Sequence, residues 1–122
     1  QSAKINVFLD KNVLINEGLA LSKEIQNKPD VSIVRFISSE EAIKEFQKQT
    51  NLSEILFALG NNPLPHVVEV VPVSLDPIDV SILVSSLNDR AGIESAATNL
   101  NWLERLYSVF SINGMVKYFL NF

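Results

Sequence analysis

The chain has 122 residues, 47% of them hydrophobic, and ten Lys/Arg against fourteen Asp/Glu leave a net charge of −4. One domain of this size buries roughly two-thirds of its unfolded surface, so it needs no metal or disulfide staple, and disordered and coiled-coil classes are excluded. The acidic balance, without any block of basic residues, argues against nucleic-acid binding, and the lack of cysteine removes thiolate, zinc-knuckle and iron–sulfur chemistry.

The numbering opens at Gln1 without a leader-like segment, which reads as a piece of a longer protein. Ile5 to Leu9 predicts a strand, ended by the turn residues Asp10-Lys11-Asn12. Asn16 is expected to cap a helix reaching about Asn27, with Leu14, Gly18, Leu21 and Ile25 on one stripe, and Val31 to Phe36 reads as a second strand. Ser38-Ser39-Glu40-Glu41 carries a capping box, so a helix should begin at about Ser39, with Ala42, Ile43 and Phe46 as its apolar stripe and a face of mixed charge opposite.

Asn51 is expected to cap a further short helix in which Leu52, Ile55, Leu56 and Leu59 share a face and Gly60 is the stop. Phe57 falls off that stripe, which leaves an aromatic ring facing solvent. Asn62-Pro63-Leu64-Pro65 predicts a rigid elbow, because two prolines fix φ and remove donors around Leu64. His66 to Val73 reads as a third strand buried on both faces. Asp76-Pro77 is an N-cap followed by proline at the first helical position, and that helix should pack through Val80, Leu83, Val84 and Leu87 to about Asp89. After the Ala91-Gly92 turn come a fourth strand, Ile93 to Thr98, and a helix from Asn99 or Asn101 with Leu103, Leu106, Tyr107 and Phe110 on its stripe. Past Ser111 the apolar residues point all round, as in a helix that either docks on protein or enters lipid.

The order predicts an α+β, ferredoxin-like split β-α-β core with an inserted two-helix lobe. Residues 1–37 and 66–114 form the core, 38–65 the lobe and its elbow, and 115–122 a juxtamembrane segment. Chemistry is sparse in this frame. His66 is the only histidine and reads as structural; no metal-ligand spacing, nucleophile elbow or glycine-rich phosphate loop occurs. No catalytic residue, metal or cofactor is expected. Apolar surface on the lobe, from Ile43, Phe46, Leu52, Leu56 and Phe57, is the candidate for partner docking, with Leu52 and Leu56 the ones most readily absorbed into the core.

The run "VSIVRFISSEEAIKEF" followed by "NNPLP", with "INVFLD", "GIESA" and "NWLERL" elsewhere, resembles the extracytoplasmic domain of the FtsX family of bacterial cell-division proteins. That resemblance implies a porter-like loop between the first two of four transmembrane helices, in a dimeric inner-membrane subunit that works with the ATPase FtsE. It also implies that the lobe docks an EnvC-like coiled-coil activator of peptidoglycan amidases, or a hydrolase directly, and that Asn62, Pro63, Leu64 and Pro65 hold the lobe on the core. Both chain ends would then face the membrane. A porter domain of a lipid or macrolide exporter and a peptidoglycan-binding module are the alternatives.

Overall fold

The computed structural model describes residues 4–49 and 64–98, with backbone alone at residues 46, 47 and 49. Among the described residues the order is β1 (Ile5–Leu9), α1 (Ile15–Gln26), β2 (Val31–Ile37), α2 (Ser39–Gln49), β3 (Val67–Pro72), α3 (Pro77–Asn88) and β4 (Ile93–Ala97). The strands form one antiparallel sheet in the order β2-β3-β1-β4. Each crossover therefore skips a strand: β3 lies between β1 and β2, and β1 lies between β3 and β4. This is the split β-α-β plan expected from the sequence.

Alternation along the strands sorts the side chains. Ile5, Val7 and Leu9 face the side on which Val68, Val70, Ile25 of α1 and Leu83 and Leu87 of α3 complete the main core. Both helices thus cover one face, α1 along β2 and α3 along β4. Phe8, opposite Val67, and Val67, opposite Ile37, carry a second buried set on the other face. Because all five residues of β1 are buried, the strand reads as an unbroken apolar run apart from Asn6. β3 is buried at four of six positions, with Glu69 and Val71 half-buried. As expected, Val80 and Val84 pack against the core beside Leu83 and Leu87.

Several boundaries differ from the sequence expectations. Helix α1 starts at Ile15 with Leu14 as its N-cap, so Asn16 lies inside the first turn. The capping is done from the other direction, since Glu17 Oε1 accepts the Leu14 N–H at 2.8 Å, and Leu14 itself is 62% exposed rather than on the buried stripe. Strand β3 runs Val67–Pro72 and includes neither His66, whose ring bonds elsewhere, nor the exposed Val73. Strand β2 runs one residue further than expected, to Ile37. The helix expected after residue 99 and the apolar run past Ser111 lie outside the described residues.

Two turns follow the local chemistry. Asp76 Oδ1 accepts the Ile78 N–H at 2.8 Å, with Pro77 opening α3 where no donor is needed. Gly92 takes φ 88°, a conformation that costs other residues dearly, and its carbonyl accepts the Asp10 N–H at 2.9 Å.

Register fixes what lies at each end of the sheet. Asn6 opposes Ala97, so Lys4 and Thr98, the outer limits of the described core, leave from the same end. The connection from Ile37 to Val67 leaves from the other, beyond Phe8. At about 3.3 Å per residue the five-residue β1 separates the two ends by roughly 17 Å.

Candidate functional site at the base of the inserted segment

The segment between β2 and β3 is anchored by a small set of directed bonds. Ser38 N–H donates to Glu41 Oε1 at 3.0 Å, and Glu41 N–H donates to Ser38 Oγ at 3.1 Å, the reciprocal capping box expected from the sequence. Ser39 N–H donates to His66 Nδ1 at 2.9 Å, which satisfies another free donor at the start of α2. The His66 carbonyl accepts the Leu9 N–H at 3.0 Å, and its ring leans on Phe36 with centroids 5.6 Å apart. One residue thus joins the end of the Pro-Leu-Pro stretch to α2, β1 and β2.

That geometry fixes the proton. A ring nitrogen that accepts an N–H is unprotonated, so the neutral ring carries its hydrogen on Nε2. Burial holds the His66 pKa below its ordinary value, partly opposed by the negative charge of Glu40. Leu64 is 4% exposed and Pro65 is buried beside this junction in the chain. Asn62 and Pro63 lie outside the described residues.

Of the expected docking residues, Ile43 is half-buried on α2 next to the fully buried Ala42. Phe46 is one turn further along the same helix, with its backbone alone described. Leu52, Leu56 and Phe57 lie outside the described residues. The structure therefore places Ile43 and Phe46 on one helix that follows β2 at the end of the sheet beyond Ile37, with Leu64 and Pro65 on the chain returning to β3.

Sequence reasoning did not find the open cleft of about 570 Å³ between α1 and the turn before β4, lined by Asp10, Glu17, Leu21, Glu24 and Gly92 among others. Two of its three carboxylates are engaged, Glu17 by the Leu14 N–H and Glu24 by Arg90. Leu14, Ile15 and Leu19 are exposed on α1. Among the described residues no cluster of three His, Asp or Glu is set to hold a metal ion, and no helix is long and apolar enough to cross a membrane.

Comparison with known proteins agrees with this architecture. Residues 2–110 match the family described as FtsX extracellular domain. The cell division protein FtsX of Pseudomonas putida is 36% identical over 112 residues, 92% of this chain and 33% of that protein. FtsX of Aeromonas hydrophila is 31% identical over 113 residues, 91% of this chain and 36% of that protein. The chain thus spans about a third of the length of these relatives. Among solved structures, extracellular domain 1 of FtsX from S. pneumonie in complex with undecyl-maltoside superposes with a TM-score of 0.64 at 19% identity, covering 78% of this chain and 92% of that one. The large extracellular loop of FtsX from Streptococcus pneumoniae, solved in solution, gives 0.61 at 18% identity, covering 78% and 97%. From the match over residues 2–110 and the identity to these relatives, the chain belongs to the FtsX extracellular-domain family of cell division, whose place is the outer face of the inner membrane.

Proposed function

We propose that this domain is a non-catalytic docking and transmission element in an FtsX-type subunit. Its inserted lobe, residues 38–65, holds an EnvC-like coiled-coil activator of peptidoglycan amidases, and the ATPase FtsE drives it through the membrane and cytoplasmic parts of a dimeric protein. Residues 1–37 and 66–114 act as the lever, with 115–122 a juxtamembrane segment. No cofactor enters this reading.

The observation that supports it is that Lys4 and Thr98 leave one end of the sheet while the connection from Ile37 to Val67 leaves the other. A stiff, close-packed sheet moves as a body, so a displacement of the strand ends at Lys4 and Thr98 re-aims whatever sits beyond Ile37 and Val67. His66 accepts two hydrogen bonds, from Ser39 N–H of α2 and Leu9 N–H of β1, which would couple the lobe to that body. Docking would fall to Ile43, Phe46, Leu52, Leu56 and Phe57, and the Asn62-Pro63-Leu64-Pro65 elbow would set the lobe's angle.

Calorimetric titration of the chain with the coiled-coil amidase activator of the same genome tests the reading. Saturable binding, with none to soluble muropeptides, is expected. Saturable muropeptide binding without activator binding would replace it with a peptidoglycan-binding module.

A further inference from the structure

The surface away from the lobe carries an apolar tip that the docking role leaves unexplained. Val73, Leu75, Ile78 and Ile82 are each at least 60% exposed. They follow the end of β3 and run onto the outward face of α3, where Ile78 and Ile82 are one turn apart. Pro72, opposite Val31, lies beyond the level at which Val70 opposes Ile5, so this tip projects from the end of the sheet where Lys4 and Thr98 leave. Single exposed apolar residues are ordinary, but four within ten residues at one end of the sheet mark a contact.

The tip is also held in shape. Ser74 Oγ donates to Asp79 Oδ2 at 2.7 Å and accepts the Asp76 N–H at 3.1 Å, while Asp76 Oδ1 takes the Ile78 N–H. Val73 N–H donates to the Asp30 carbonyl at 3.0 Å. Both carboxylates of the turn therefore bond to groups of the turn itself, and the apolar side chains are left pointing outward on a preorganised loop, which lowers the ordering cost of a contact.

We infer that this tip, Val73, Leu75 and Ile78 with Ile82 behind them, rests in the interfacial layer of the lipid bilayer that anchors the protein. The inference rests on the proposed reading that the chain leads to the membrane on either side of the core; given that, the patch meets lipid because it lies at the end of the sheet where the chain enters at Lys4 and leaves at Thr98. Apolar side chains of this number bind a bilayer weakly by themselves, and covalent attachment through the chain ends supplies the local concentration that makes the contact persistent. With no cationic cluster in the tip, the contact is apolar rather than electrostatic, and zwitterionic lipid suffices. Its consequence is a second support for the lever: the domain pivots on the bilayer at this tip while the strand ends are moved.

The test uses single-cysteine variants of the membrane-anchored protein in zwitterionic phosphatidylcholine vesicles, labelled with an environment-sensitive fluorophore at Leu75→Cys, Ile78→Cys, Lys4→Cys or Lys44→Cys. All four positions are exposed, so labelling leaves the core intact. The expected result is quenching at positions 75, 78 and 4 when nitroxide-bearing lipid replaces part of the phosphatidylcholine, and none at position 44 on α2. Quenching at 4 without quenching at 75 or 78 overturns the lipid contact and leaves the orientation standing. Lack of quenching at 4, or quenching at 44, overturns the orientation and the contact with it. Labels at 75 and 78 that are shielded from aqueous iodide but untouched by nitroxide lipid also overturn the inference, and would assign the patch to a protein surface.

Discussion

Gln26 and Asn88 occupy matching positions: each is the last residue of its crossover helix, and each turns its amide onto an outer edge of the sheet. Gln26 Nε2 donates to the Ser32 carbonyl at 3.0 Å and its Oε1 accepts the Val34 N–H at 3.1 Å. Asn88 Nδ2 donates to the Ala96 carbonyl at 3.0 Å and its Oδ1 accepts the Ala96 N–H at 2.9 Å. The two amides supply donors and acceptors that a neighbouring strand would otherwise supply, which ties helix to sheet and blunts both edges against pairing with another chain.

Replacing Asn88 by Ala therefore strands two backbone groups of half-buried β4. A loss of about 1–3 kcal/mol is expected from unfolding in urea. Gln26→Ala should cost less, because its bonds are exposed and water replaces them. Equal, negligible losses at both positions would show that the edges do not depend on these amides.

Gly18 lies where α1 crosses the sheet, and a Cβ built there meets the Phe36 ring at 2.6 Å and Leu9 Cδ1 at 3.3 Å. Overpacking typically costs about 1–3 kcal/mol, against the roughly 1 kcal/mol that alanine gains over glycine in a helix. Gly18→Ala should then lower stability by about 1 kcal/mol and reduce Tm, where an open site would raise it.

Gly92→Ala should also destabilise, by about 1–2 kcal/mol, since φ 88° is a left-handed conformation for any side chain. There is no clash to relieve, as the nearest side-chain atoms stand 3.8 Å from the added carbon. A denaturant midpoint unchanged within error would contradict the strain.

His66 gives the domain a pH dependence with a definite sign. Its folded-state pKa is held below the ordinary 6.5, mainly by burial and against the pull of Glu40. The unfolded chain therefore binds more protons between the lowered value and 6.5, so stability is complete above 6.5 and declines as pH falls through that window. Protonation also removes the acceptor for Ser39 N–H, loosening the start of α2. His66→Phe should cost about 1 kcal/mol at pH 7.5 and remove that part of the slope; an unchanged slope in the variant would assign it to carboxylates.

Much of the fold was legible in local chemistry. Asp76-Pro77, the Ser38/Glu41 box and Gly92 each announce a boundary because one residue type satisfies the backbone there, and all three stand where expected. The start of α1 was not legible, since its free N–H is met by Glu17 from inside the helix and Leu14 offers no side-chain cap. The outer face of α3 was missed for a different reason. "PIDVSILV" is apolar on both sides, and a stripe drawn through Val80, Leu83, Val84 and Leu87 leaves Ile78 and Ile82 without a role until the register shows which end of the sheet they share. For the candidate site, the role of His66 needed three dimensions, because its partners Ser39 and Leu9 are distant in the chain.

The central claim is that the inserted lobe, rather than the sheet, holds the partner. Calorimetric titration of the coiled-coil activator against wild type and Phe57→Glu, with both unfolded in urea alongside, tests it most directly. The account predicts matching unfolding midpoints and a loss of about 2 kcal/mol in binding, roughly 30-fold in Kd, as for an aromatic hot spot. Undiminished binding by a folded Phe57→Glu variant would contradict it.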